Sequence, residues 1–124
     1  MKFYYLTAAL FCLSLTATSE DQTTDWKDLS PSERATKLTD WMDDKLNLTD
    51  TQETEIYAVN LKYAQKTESL KNSNLSRREK FQTLKGYDQA KDMDLQEYLY
   101  DDQFKTYEAK KRDLMRKIKK NKLG

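Results

Sequence analysis

Leu48-Thr49-Asp50-Thr51-Gln52 reads as the entry to a helix. A threonine hydroxyl at the cap accepts from the third backbone N–H, and a glutamine at that third position reaches back to the N–H of the cap. The same chemistry stands at Ser30-Pro31-Ser32-Glu33, with proline at the first helical position, and at Ser76-Arg77-Arg78-Glu79. Each box supplies partners for backbone donors that a helix start leaves orphaned. A fourth glutamine, Gln103, follows the same spacing, but Tyr100 stands at its cap position and its side chain cannot cap in that way. Either Asp101 caps a fourth helix, or the third runs into it with a bend.

Between these starts the apolar residues recur at three, four and seven, the spacing that places them on one helical face. The sets are Ala35, Leu38, Met42 and Leu46; Ile56, Val59, Tyr63 and Leu70; Phe81, Leu84, Leu95 and Leu99; Phe104, Tyr107, Leu114 and Ile118. They predict helices near 31–46, 50–72, 77–98 and 101–119, the second and third being the longest. No stretch alternates with period two, so no strand is expected. Asp88 and Lys111 interrupt the stripes where an apolar residue would complete them, and residues 72–75 form the clearest turn. Gly86 lies inside the third helix, where glycine costs about 1 kcal/mol against alanine, and is a candidate bend. A compact bundle wants about three apolar positions per heptad on each helix; these helices offer closer to two. The expected fold is therefore all-α, four helices in a thin hairpin arrangement, either left open or covered by a second copy; a homodimer is the favoured form.

The first residues carry a different signal. Lys2 precedes an uncharged apolar run from Phe3 to Leu15, and Ala17 and Ser19 stand two apart before Glu20 and Asp21. This is the layout of a cleavable secretory signal peptide, too short for a membrane span. The expected organisation is a signal peptide at 1–19, a flexible segment at 20–29, a helical domain at 30–119 and a basic tail at 120–124. Cys12, the only cysteine, would leave with the signal; Phe11 before it argues against lipoprotein processing. The chain has no histidine, which removes the commonest general base and transition-metal ligand. Residues 20–57 carry eleven acids against four bases, whereas residues 105–124 carry nine bases against Glu108 and Asp113. One end is acidic and the other basic. The basic run suits a helix C-terminus, or attraction to anionic envelope surfaces or acidic clients. Nucleic acid is not an expected partner of an exported chain.

Leu48-Thr49-Asp50-Thr51-Gln52 resembles the LTxxQ motif of the Spy/CpxP family of small periplasmic helical proteins. A second copy is expected about fifty residues on, where Leu99-Tyr100-Asp101-Asp102-Gln103 stands, followed by Phe104 and Tyr107. The first copy matches fully; the second departs at Tyr100. The stretch from Lys45 to Lys66 is similar to versions in Bacteroidota envelope proteins. The resemblance spans roughly residues 30–118. It implies a curved, cradle-shaped homodimer acting in the periplasm as an ATP-independent chaperone that loosely holds unfolded envelope proteins. The alternative it implies is an envelope-stress signalling adaptor that binds the sensor domain of a histidine kinase.

The motif residues Leu48, Thr49, Gln52, Leu99 and Gln103 read as structural: a capping box explains Thr49 and Gln52, and the leucine before the cap suits a hydrophobic staple. The client surface is expected on the third helix, where Arg77, Arg78 and Lys85 stand among Phe81, Leu84 and Tyr87. No catalytic residues and no cofactor are expected. The aspartates at 40, 43 and 44 and at 92 and 94 are the nearest approach to hard-cation ligands, and a solvated acidic face explains them better.

Overall fold

The computed structural model describes residues 26–123. The expected signal peptide and residues 20–25 lie outside the described residues, as does Gly124. A short 3-10 turn, Trp26–Asp28, leads into four helices: α1 Pro31–Leu46, α2 Asp50–Lys71, α3 Arg77–Tyr98 and α4 Asp101–Leu123. No strand occurs among the described residues, so the fold is all-α with four helices. Leu29 is buried, which ties the end of the 20–29 segment to the folded body rather than leaving it a loose linker.

All three capping boxes form. Ser30 Oγ accepts from Glu33 N at 3.2 Å, Thr49 Oγ1 from Gln52 N at 3.1 Å and Ser76 Oγ from Glu79 N at 3.2 Å, each returned by the acid or amide side chain. At the end of α1, Asn47 adopts the left-handed conformation (φ 54°), and its N–H reaches Asp43 O. The fourth start follows neither expected alternative. Extended Leu99 separates α3 from α4, and Asp101 is already helical. Tyr100 keeps half of a capping box, its N–H donating to Gln103 Oε1 at 2.9 Å. That half needs only a backbone N–H, so the side chain at the cap position does not matter. Helix α4 runs to Leu123, past the expected end at 119, so most of the expected tail is helix and α4 is the longest element. Helix α3 continues unbroken through Gly86.

The helices pack α1 on α2 and α2 on α3, with α4 returning against α1 and α3. Met42, Ile56, Leu95 and Tyr107, one from each helix, are the largest fully buried side chains. Leu46, Leu48, Val59, Tyr63 and Leu99 complete the cluster, with Leu38, Tyr87 and Phe104 packed at its edge. Leu48 does not form a hydrophobic staple, because the partner position in the next turn is Glu53; it joins the common core instead. Two expected core residues stay out of it: Leu84 is exposed, and Phe81 is 68% exposed.

Candidate functional site

The two motif copies meet. Gln52 Nε2 donates to Gln103 Oε1 at 2.7 Å, and Gln103 Nε2 donates back to Gln52 Oε1 at 3.2 Å. Each amide also reaches the end of a helix in the opposite half of the chain: Gln52 Nε2 to Tyr98 O at 2.9 Å, Gln103 Nε2 to Leu46 O at 3.2 Å. Each amide oxygen meanwhile accepts the N–H at the start of its own helix, Thr49 or Tyr100. Leu48 and Leu99 are buried beside this junction. The five motif residues thus close helix ends and join the two halves of the chain, and every polar atom of the glutamine pair is spent on doing so.

The interruptions of the apolar stripes find each other across the α3–α4 contact. Lys111 Nζ lies 2.8 Å from both oxygens of Asp88 and 2.8 Å from Asp92 Oδ2, while Tyr107 Oη donates to Asp92 Oδ1 at 2.8 Å. Burial alone would lower the Lys111 ammonium, but the hydrogen bonds to Asp88 and Asp92 hold it above its ordinary value. Burial and the neighbouring Asp92 charge push the Tyr107 phenol far up. Asp94 accepts from Tyr63 Oη at 2.6 Å and from Lys62 Nζ at 3.1 Å. These hydrogen bonds, that of Tyr63 first, hold its carboxyl below the usual value. Asp92 and Asp94 therefore face different cations. Among the described residues no group of acids is gathered as for a metal ion.

The residues expected to hold clients are all on α3 but do not form one patch. Arg77, Arg78, Phe81 and Lys85 are exposed. Tyr87 instead packs against the core edge, with Lys66 Nζ 5.4 Å above its ring. Leu84 lines a groove of about 470 Å³ between α1, α2 and α3. Its walls are apolar, with Ala35, Leu38, Tyr63, Ala64 and Leu70, and Trp26 stands at its margin. Four cations, Arg34, Lys71, Lys80 and Lys91, share that lining. Arg34 pairs with Glu68 at 3.1 Å, and Lys80 Nζ donates to Lys71 O at 3.0 Å, the favourable place for a cation at a helix C-terminus. Sequence spacing alone missed this groove, since its lining comes from three helices and the turn before them.

No helix among the described residues is long and apolar enough to cross a membrane. Neither the curated proteins nor the solved structures include a match to the chain. One family model, described as a domain of unknown function (DUF4890), matches residues 17–122. Because that match takes in all four helices and both copies of the glutamine motif, the chain belongs to the DUF4890 family.

Proposed function

We propose that the protein is an exported, Spy/CpxP-like binding protein of the periplasm that holds unfolded envelope proteins without nucleotide, working as a homodimer. The observation that carries this reading is the first half of α3. Phe81 stands 68% exposed with Arg77, Arg78 and Lys85 exposed around it, on a helix whose only buried side chain is Leu95. Such a surface draws acidic or partly unfolded segments by charge and holds them by weak apolar contact. Exposed charge contacts are each worth under about 1 kcal/mol and are screened by salt, so a client can leave unaided. In the second half of α4, Met115, 57% exposed, offers a second copy an apolar contact.

The test replaces Arg77, Arg78 and Lys85 together with glutamine. All three are exposed, so helicity and melting temperature should barely move. Suppression of aggregation of several unrelated unfolded proteins should fall, most clearly at low salt. Unchanged protection at every salt concentration overturns the assignment of this surface. Tight binding of a single sensor domain, with no protection of unrelated clients, would identify a signalling adaptor instead.

A further inference from the structure

The groove between α1, α2 and α3 carries two polar groups that the fold leaves unfinished. The first is Asn60, which lines the groove and is only 2% exposed. Its Nδ2 is spent on Thr39 Oγ1 at 3.0 Å and on Met42 Sδ at 3.7 Å, whereas its Oδ1 has no donor. A buried acceptor without a partner costs about 1–3 kcal/mol, and a ligand donor would recover it. The second is Lys91, whose side chain is 18% exposed. Its nearest acid is Asp88, at 3.9 Å, with Asp92 also close enough to act on it, and Lys111 already holds both carboxylates at 2.8 Å. Lys91 is therefore a largely desolvated cation whose nearest acid lies beyond hydrogen-bond distance and is held more closely by Lys111, and a ligand carboxylate would supply a close partner. Burial, opposed by the charges of Asp88 and Asp92 and reinforced by that of Lys111, lowers the Lys91 ammonium below its ordinary value.

Around these two groups the groove is apolar, and its volume of about 470 Å³ falls in the range of small-molecule sites, about 300–1,000 Å³. We infer that this groove binds a single-chain amphiphile whose acyl tail lies along Ala35, Leu38, Ala64, Leu70 and Leu84, whose amide N–H donates to Asn60 Oδ1 and whose carboxylate pairs with Lys91. An N-acyl amino acid is the simplest molecule with all three parts. A plain hydrocarbon would leave both polar groups unanswered, and a cationic amphiphile would meet Arg34, Lys71, Lys80 and Lys91 as like charges. The site is separate from the exposed Arg77, Arg78 and Lys85 surface and does not rest on chaperone activity.

The test is calorimetric titration of the purified protein with N-dodecanoylglycine below its micelle concentration. The methyl ester of that compound and dodecyltrimethylammonium serve as comparators. Saturable one-to-one binding is expected, with the ester weaker by at least about tenfold, the loss appropriate to one charge-assisted contact. Lys91→Met should erase the preference for acid over ester. Ala64→Phe, which fills the groove, should weaken acid and ester together. Circular dichroism of each variant verifies folding. Lys117→Met, on the exposed far part of α4, should change nothing. Unsaturable uptake, equal binding of acid and ester, or unchanged selectivity in Lys91→Met overturns the inference. Both groove variants retain Arg77, Arg78 and Lys85, so client protection measured in parallel reports on the chaperone reading separately.

Discussion

Helix α3 holds two regions of opposite character. Its second half, from Asp88 to Tyr98, is committed at nearly every inward position: Leu95 is fully buried, and Asp88, Asp92 and Asp94 are bound by lysines or tyrosines of α2 and α4. Its first half, from Arg77 to Tyr87, buries no side chain completely, although it contains Phe81, Leu84 and Tyr87. The number of apolar residues does not separate the two. What differs is the company: α2 and α4 both supply partners to the second half, while the first half lies beside the end of α2 and an open groove. Apolar side chains become core where neighbouring helices meet them from two sides, and surface where one side is missing.

The strongest way to break this contrast is to truncate one residue in each environment. Ile56→Ala, at a fully buried position facing the committed half, should cost about 2–5 kcal/mol in urea unfolding. Phe81→Ala, although it removes a larger side chain, should stay within about 0.5 kcal/mol. Equal losses would mean that Phe81 is covered in solution, by a second copy or by the body of the protein.

The glutamine junction gives the next largest effect. Gln52→Leu or Gln103→Leu strands the other amide together with a helix-end carbonyl, at about 1–3 kcal/mol each. The double variant should cost less than the sum of the two, since each single change already breaks the shared bonds; a double-mutant cycle measures that coupling. Strict additivity would show that the two amides act independently.

The smallest effect sharpens the contrast from the open side. A Cβ at Gly86 would meet nothing within 4 Å. Gly86→Ala should therefore raise stability by up to about 1 kcal/mol without altering the groove or the core, as read by melting temperature. A loss would mean that the helix needs a bend there.

These features were unequally legible in the sequence. A capping box is a conversation among four adjacent residues, so the starts of α1, α2 and α3 could be read to the residue at Ser30, Thr49 and Ser76. The resemblance to LTxxQ proteins marked Gln52 and Gln103 as a related pair, but not that they touch, because residues 51 apart carry no local sign of contact. Asp88 and Lys111 looked like flaws in two separate stripes; paired across α3 and α4, they complete one another. The split of the expected client residues among surface, groove and core edge was equally hidden. Helical spacing says which residues share a face, not whether another helix covers it.

The reciprocity of the glutamine junction has a topological consequence. Each half of the chain finishes the helix ends of the other half, and the covalent link between the halves is the turn from Asn72 to Ser76. Were that turn to straighten, α3 and α4 of one molecule would have the right groups to dock on α1 and α2 of its neighbour, with Gln52 and Gln103 forming the same bonds between molecules. The bonds of the junction would be the same within one chain or between two, so in such an exchange the length and stiffness of one short turn would set the balance between closure and swapping.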